Sequence, residues 1–276
     1  MRIEVLKAFF LGVVQGITEW LPISSTGHMI LFDELVRLDV SDAFMEMFRV
    51  VIQFGSILAV ALLYGNRLLP WGKNKTAAER KQTRTLWLRI LLAALPAGVV
   101  GVLLDDWLDR YLYNTITVAA ALIVYGVAFI LLEKAQRNRR FSVNDTSELS
   151  SRTALGIGCF QMLSLIPGTS RSGSTILGAM CVGVNRTAAA EFSFFLAIPV
   201  MGGASLLKAV KYIGETGFTF TQAELITLVV GTVTAFAVSL VAIRFLVSFV
   251  RRHSFAGFGW YRIALGLLVL LYAGIK

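Results

Sequence analysis

The most regular feature of the sequence is a series of long apolar windows separated by short charged segments. A transmembrane helix needs roughly 20 apolar residues, because the hydrocarbon core is about 30 Å thick and each helical residue rises about 1.5 Å. Six windows reach this length, and they predict six membrane-spanning helices. The windows cover residues 44–64, 86–104, 111–132, 188–210, 224–243 and 256–275.

Two further apolar stretches, residues 5–37 and 153–185, do not have the pattern of single spans. A polar, turn-forming run interrupts each of them, at residues 22–27 in the first and 167–174 in the second. The arms on either side are too short to cross a bilayer, and a broken helix at membrane depth must be buried in protein or line a wet cavity. We therefore predict an all-α polytopic membrane protein with six transmembrane helices and two re-entrant helix–loop–helix hairpins.

The composition agrees with a membrane protein. Hydrophobic residues make up 56% of the chain and charged residues 16%, whereas soluble domains average roughly 45–50% and about 25%. These figures exclude a soluble globule, so the bilayer is the predicted environment. The net charge of +9 is then interpreted as a topology signal, and no nucleic-acid partner is expected.

The distribution of charge predicts the orientation of the chain. Basic residues are concentrated in segments 65–89, 134–152 and 244–252, and cytoplasmic loops carry an excess of Lys and Arg. We expect these segments to be cytoplasmic and the acidic segment 105–110 to lie outside. With six spans, both termini then lie outside, and the first hairpin enters from the outside while the second enters from the cytoplasm.

The two interrupted stretches also resemble each other. A shift of 146 residues, from position 12 to position 158, aligns Gly12, Gln15, Ser24, Gly27, Ile30 and Leu31 with Gly158, Gln161, Ser170, Gly173, Ile176 and Leu177. The single membrane domain 1–276 would divide into repeats 1–140 and 150–276, each with one hairpin and three spans. Three is odd, so the second repeat is inverted, and inverted repeats place their site where the two breaks meet. Similarity from apolar composition alone is the alternative.

Ionisable residues are rare inside the hairpins. Residues 11–31 contain only Glu19 and His28, and residues 153–185 contain only Arg171. A charge at bilayer depth costs about 2.5–3.5 kcal/mol on insertion scales, so such residues usually pair or have a function. An acid, an imidazole and a guanidinium facing one cavity would form a reaction site.

The first hairpin offers candidates for a metal site and for acid–base chemistry. Gln15 and Glu19 are four residues apart and share a helix face, where they could hold a hard divalent cation or form a polar pair that joins helices. His28 is a candidate general acid or base, or a satisfied buried histidine. The loop adds hydroxyl groups, each of which could be a nucleophile, a phosphate ligand or a helix cap. These belong to Ser24, Ser25 and Thr26.

The second hairpin predicts a phosphate cradle. Small and hydroxyl residues surround Arg171 just before a predicted helix, where free backbone N–H groups favour an anion and arginine matches phosphate oxygens. The candidate ligands are Ser170, Ser172, Gly173, Ser174 and Thr175. The alternative is a serine-rich turn whose arginine pairs with Glu19 or Glu191. Glu46, Gln53 and Glu191, on the following spans, are predicted to support the site or to lie at helix interfaces.

Both motifs resemble the undecaprenyl-diphosphate phosphatase family, also called the bacitracin-resistance proteins. Residues 15–28, QGITEWLPISSTGH, are similar to the acid-rich motif of that family, and residues 167–175, PGTSRSGST, resemble its second motif. Length, hydropathy and motif positions fit over nearly the whole chain. Many members carry glutamate at the position of Gln15, so Glu19 is here the only carboxylate in the first motif.

The resemblance implies hydrolysis of the terminal phosphate of a C55 isoprenyl diphosphate, which recycles the lipid carrier of peptidoglycan synthesis and confers bacitracin resistance. It also implies a divalent cation and a site open to the outer face of the bacterial cytoplasmic membrane. We expect Glu19 and Gln15 to hold Mg²⁺ or Ca²⁺, Arg171 to neutralise phosphoryl charge, and His28 to transfer a proton. Either Ser25 or a water molecule would attack phosphorus.

Two other classes of protein are alternatives to a phosphatase. A transporter or flippase for a lipid phosphate or another anion would also use paired broken helices and an anion cradle. A non-catalytic lipid-binding protein would not need the three ionisable groups together. The sequence leaves the oligomeric state open, with a homodimer as one option.

Overall fold

The computed structural model describes residues 2–32, 36, 38–71, 75–137, 140–217 and 220–275, without the side chains of Thr26, Ile30, Asp105, Asp106, Asp109 and Ile275. The described secondary structure is helical, apart from one isolated bridge between Val143 and Val184. The helices are α1 (Arg2–Thr18), α2 (Ser25–Phe32), α3 (Asp42–Leu63), α4 (Gly65–Leu68), α5 (Ala77–Leu112), α6 (Thr115–Gln136), α7 (Ser151–Met162), α8 (Arg171–Cys181), α9 (Arg186–Thr216), α10 (Gln222–Val250) and α11 (Ala256–Ile275). Two 3₁₀ turns cover Thr146–Glu148 and Leu163–Leu165.

Six helices are long and apolar enough to cross a membrane, and they correspond to the six predicted spans. They lie at Asp42–Leu63, Ala77–Leu104, Thr115–Gln136, Arg186–Thr216, Gln222–Val250 and Ala256–Gly274. The chain is therefore a polytopic, multi-pass helical protein.

One predicted boundary was wrong. The acidic segment 105–110 lies inside α5, which continues to Leu112, and the next span begins at Thr115 rather than at residue 111. No glycine or proline follows Gly101 in that helix, so the sequence contains no residue that would end it earlier. Asn114 then caps α6 by accepting a hydrogen bond from the Thr117 N–H, at 2.9 Å.

Each predicted hairpin stretch contains two helices separated by a break. α1 and α2 flank the first break, and α7 and α8 flank the second; residues 33–35 and 37 of the first stretch lie outside the described residues. Ser24 and Ser170 have φ values of 72° and 71°, in the left-handed region that non-glycine residues rarely adopt. Their hydroxyl oxygens accept hydrogen bonds from the N–H groups of Gly27, at 3.3 Å, and Gly173, at 3.1 Å. A serine at the end of each break therefore caps the helix that follows.

The first helix of each interrupted segment packs closely along a long apolar helix. A Cβ atom on Gly12 of α1 would lie 2.6 Å from the Gly231 carbonyl oxygen of α10, and one on Gly158 of α7 would lie 2.4 Å from the Ala93 carbonyl oxygen of α5. These contacts need glycine, because any side chain would meet backbone atoms. Small residues allow close backbone approach between membrane helices.

The remaining long helices form two pairs. α3 and α9 run antiparallel, with the Ser205 hydroxyl donating to the Val50 carbonyl at 2.9 Å. α6 and α11 approach each other at Gly126 and Gly259, each of which faces the other's carbonyl oxygen. A buried apolar cluster drawn from many helices contains the large aromatic side chains of Trp20, Phe192, Phe194 and Phe195.

Candidate active site

Glu19 and Arg171 form an ion pair between the two breaks. Arg171 Nη2 donates to Glu19 Oε1 at 2.8 Å, and the two side chains are only 11% and 7% exposed. Gln15 Nε2 donates to the other carboxylate oxygen at 3.0 Å. The predicted acid and guanidinium, which are far apart in sequence, therefore meet in one buried cluster.

Ser193 of α9 and Trp20 of the first break hold Arg171 in place. Its Nη1 donates to the Ser193 carbonyl at 2.7 Å and to the Ser193 hydroxyl at 3.2 Å, and its guanidinium lies 5.5 Å from the centre of the Trp20 ring. The buried Nε has no hydrogen-bond partner within the described residues. Arg171 thus has a fixed orientation and one donor that no described group uses.

The hydroxyl residues around the second break have different partners. Ser172 donates to the Leu21 carbonyl at 3.3 Å and lies 3.1 Å from the Ser170 hydroxyl, so it connects the two breaks. Thr175 is fully buried, and its hydroxyl contacts the Ser193 hydroxyl at 2.6 Å. Ser174 is also fully buried, in the first turn of α8, where its N–H donates to the Ser170 carbonyl at 2.9 Å.

His28 lies on the other side of the first break. Its Nδ1 is 2.7 Å from the Ser24 carbonyl oxygen, and its Nε2 is 2.7 Å from the Tyr261 hydroxyl of α11. A carbonyl oxygen only accepts, so Nδ1 carries the proton, and in a neutral ring Nε2 accepts from Tyr261. Ser25 begins α2 one turn before His28. The side chain of Thr26 lies outside the described residues.

A second buried arginine, which the sequence did not lead us to predict, also joins the breaks. Arg262 of α11 is fully buried, and its Nη1 donates to the Pro22 carbonyl at 3.1 Å. Its Nη2 donates to the carbonyls of Gly168 and Thr169, at 2.9 and 3.0 Å. One side chain therefore bonds to backbone groups of both breaks.

Three predicted supporting residues lie apart from this cluster. Glu46 pairs with Lys208, and Glu191 pairs with Arg67 at 2.6 Å. Gln53 is partly buried on α3. No hydrogen bond joins any of the three to Glu19 or Arg171 in the described part of the chain.

The carboxylate of Glu19 is the feature of the site that bears on a divalent cation. No group of three or more His, Cys, Asp or Glu side chains lies close enough to hold a metal among the described residues. Glu19 accepts at both oxygens, from Arg171 and from Gln15. Mg²⁺ usually binds one or two carboxylates together with substrate phosphates, and one carboxylate beside an anion cradle fits that pattern. The described residues do not form a cage that would hold the cation through protein ligands alone.

Comparison with known proteins decides the family. A family model described as bacitracin resistance protein BacA matches residues 8–268. The chain belongs to the BacA family. Curated relatives named undecaprenyl-diphosphatase include a protein of Acetivibrio thermocellus, 55% identical over 270 residues that cover 98% of each chain. Another, from Enterococcus faecalis, is 53% identical over 275 residues, 99% of this chain and 98% of the relative. A third, from Streptococcus pyogenes serotype M4, is 52% identical over 274 residues, again 99% and 98%.

Sequence reasoning missed four contacts in this BacA-family site. Trp20 and Ser193 surround Arg171, and Tyr261 and Arg262 contact the first break. A search for ionisable residues in the spans, as well as in the hairpins, would have found Arg262, because it lies inside the predicted span 256–275. The sequence contains no comparable signal for Ser193 or Tyr261, since hydroxyl residues are common in membrane helices.

Proposed function

We infer that this BacA-family protein is an undecaprenyl-diphosphate phosphatase. It hydrolyses undecaprenyl diphosphate to undecaprenyl phosphate and inorganic phosphate, which recycles the carrier for peptidoglycan synthesis. The observation that carries this conclusion is the buried Glu19–Arg171 pair at the meeting point of the two breaks, in a chain whose curated relatives have that activity as their name. Bacitracin resistance is the expected consequence in a cell.

We propose that the two broken segments are re-entrant hairpins of an inverted repeat. Three pairs of equivalent contacts support this topology. The two strained serines, Ser24 and Ser170, are 146 positions apart in the sequence (170 − 24). The closely packed glycines, Gly12 and Gly158, have the same separation (158 − 12). In addition, Glu46 near the start of α3 pairs with Lys208 near the end of α9, while Glu191 near the start of α9 pairs with Arg67 just after α3.

In this proposal Arg171 binds the terminal phosphoryl group. The pair with Glu19 leaves Arg171 Nε without a partner, so a phosphate oxygen could use that donor before the carboxylate is displaced. A guanidinium gives phosphate a bidentate, charge-assisted contact. The backbone N–H groups at the start of α8 add to the positive potential there.

We propose Ser25 as the attacking group, with water as the alternative. Ser25 Oγ bonds to the terminal phosphorus while the bond from that phosphorus to the bridging oxygen breaks, and undecaprenyl phosphate leaves. The hydroxyl proton passes to His28 Nε2, which is the basic nitrogen because Nδ1 donates to the Ser24 carbonyl. Water then hydrolyses the phosphoserine and releases inorganic phosphate. Tyr261 would relay the proton from Nε2 to the outer solution.

We propose that a divalent cation, Mg²⁺ or Ca²⁺, binds together with the substrate. The Glu19 carboxylate and the Gln15 amide oxygen would hold it, with the diphosphate supplying further oxygens. Bound there, it would neutralise charge on the phosphoryl oxygens. Gln15 contributes no charge, so Glu19 is the only anionic ligand that the first hairpin supplies.

The site is proposed to face the outer side of the membrane, with the lipid tail lying in the bilayer. Exposed apolar side chains on the spans, such as Leu103 and Val229, support contact with lipid. Both termini would lie outside, as expected from the basic segments.

The decisive experiment measures phosphate release by purified protein from a prenyl diphosphate, without an energy source. The Arg171→Ala variant should lose at least about a hundredfold in kcat/KM, because one preorganised charge donor is typically worth ~2.7–4 kcal/mol in a transition state. A transporter would release no phosphate in either form.

The matched control is Arg67→Ala. Arg67 also pairs with a buried glutamate, Glu191, but that pair does not hydrogen-bond to the breaks in the described structure. We expect its turnover to stay within a few fold of the wild-type value. Near-normal kinetics for Arg171→Ala, with the wild type active, would disprove the role given to Arg171.

A further inference from the structure

Arg262 has an unusual environment for a charged residue in a membrane helix. Its side chain is fully buried in α11, and none of the described carboxylates forms an ion pair with it. Its three hydrogen bonds go to backbone carbonyls, and its guanidinium lies 5.5 Å from the centre of the Tyr125 ring. A buried charge without a carboxylate partner indicates a specific role.

The carbonyls that Arg262 binds belong to the two breaks. Pro22 lies two residues before Ser24, and Gly168 and Thr169 directly precede Ser170. A break in a helix leaves carbonyl groups without intrahelical partners, and these groups need another donor at membrane depth. The planar fork of a guanidinium can serve several at once, which a lysine ammonium does less well.

Arg262 also lies against the helix that follows the second break. A Cβ atom on Gly173 would be 3.3 Å from Arg262 Nη1, so the first turn of α8 packs on the guanidinium. Its neighbour Tyr261 contacts His28. One turn of α11 therefore contacts the first break, the second break and the imidazole.

We propose that Arg262 is a positioning residue that holds the two breaks in register. It keeps the first hairpin, with Glu19 and Ser25, aligned with Arg171 of the second hairpin, so that both act on one phosphoryl group. Arg262 is fully buried and touches no substrate. This role rests on the proposed phosphatase function.

The test compares Arg262→Lys and Arg262→Met with the wild type, using phosphate release from a short-chain prenyl diphosphate. Each variant is assayed below its own melting temperature, and kcat is expressed per folded molecule. We expect Arg262→Met to lower kcat at least about thirtyfold while KM changes less than about threefold. Arg262→Lys should recover part of the loss, because it keeps a charge and three donors.

The control is Arg186→Gln. Arg186 connects α9 to α6 through Glu133, and its hydrogen bonds do not reach either break in the described structure. The melting temperature of this variant should therefore fall, while its kcat per folded molecule stays within about threefold of the wild-type value.

If Arg262→Met does not fold, the Arg262→Lys variant alone tests the proposal. A kcat of that variant within about threefold of wild type, with unchanged KM, overturns it. A raised KM with a preserved kcat also overturns it, in favour of direct substrate binding. An inactive wild type would instead contradict the phosphatase function.

Discussion

At the scale of single residues, the site holds its charges in two different ways. Arg171 is neutralised by Glu19, whereas Arg262 is surrounded by carbonyl dipoles. Removing one partner of a buried ion pair leaves an uncompensated charge, which is more costly than the pair itself. In the proposed function, an incoming diphosphate would replace Glu19 as the partner of Arg171, so the guanidinium would not be left unpaired. The Glu19–Arg171 pair would then be the resting state that substrate opens.

The contact between His28 and Tyr261 leads to a prediction about proton transfer. Tyr261→Phe keeps the ring that stacks on His28, with centres 5.6 Å apart, but removes the hydroxyl that is 2.7 Å from Nε2. General acid–base groups contribute about 10²–10⁴-fold. We expect the loss of one relay partner to lower kcat about tenfold with little change in KM, measured by steady-state phosphate release.

Two comparisons isolate this effect. Tyr111→Phe removes a hydroxyl from an exposed tyrosine of α5 and should leave kcat unchanged. Ser25→Ala should abolish most turnover, and adding Tyr261→Phe to it should cause no further loss, because both substitutions affect the same proton-transfer step. A full tenfold additional loss in the double variant would show that Tyr261 acts elsewhere.

At the scale of helices, the sequence was sufficient to predict the spans and the breaks. Long apolar windows have few alternatives to a membrane helix, and turn-forming residues at 22–27 and 167–174 mark the breaks. It was not sufficient to predict which span would contact the breaks. Tyr261 and Arg262 reach them because α11 packs beside α2 and α6, and such long-range packing has no local sequence signal. For the same reason the sequence left open whether Glu191 supports the site or lies at a helix interface, and in the structure its partner is Arg67.

The close contact between α7 and α5 leads to a prediction about stability. Gly158→Ala would place Cβ 2.4 Å from the Ala93 carbonyl oxygen and 2.9 Å from its Cα. These are backbone atoms, so the two helices must separate, and overpacking typically costs about 1–3 kcal/mol. We expect the melting temperature in detergent to fall by several degrees.

Gly98→Ala and Gly202→Ala provide the matched controls. Both glycines lie in long helices, and a Cβ atom on either would have no neighbour within 4 Å. Replacing an open helical glycine by alanine usually stabilises by about 0.4–1 kcal/mol. These variants should melt at or above the wild-type temperature. If all three substitutions behave alike, close packing does not explain the glycine at position 158.

At the scale of the whole molecule, the first helix of each interrupted segment runs parallel to the long helix that it packs against. Gly12 faces Gly231 and Gly16 faces Ala235, so α1 runs parallel to α10. Gly158 faces Ala93 and Gly101 lies near Leu165, so α7 runs parallel to α5. The predicted topology sends α1 and α10 inward and α7 and α5 outward. A parallel arrangement within each pair is what that topology requires, while the inverted repeat and the orientation in the membrane stay predictions.

The absolute orientation is testable by labelling single cysteines. The two native cysteines, Cys159 and Cys181, are first replaced by alanine; neither contacts the Glu19–Arg171 pair through a hydrogen bond in the described structure. One cysteine is then introduced at an exposed position in each connection between helices. A thiol reagent that does not cross the membrane reports which positions face the outside of intact cells.

The basic segments predict the labelling pattern. Tyr113→Cys and Glu215→Cys, at the ends of α5 and α9, should be labelled in intact cells. Trp71→Cys and Arg252→Cys, in the basic connections before α5 and after α10, should be labelled only after the cells are permeabilised. All four positions are exposed, so labelling in permeabilised cells shows that each introduced thiol can react. The reverse pattern would place the termini and the first hairpin on the cytoplasmic side. Labelling of Tyr113→Cys and Trp71→Cys from the same side would mean that α5 does not cross the membrane.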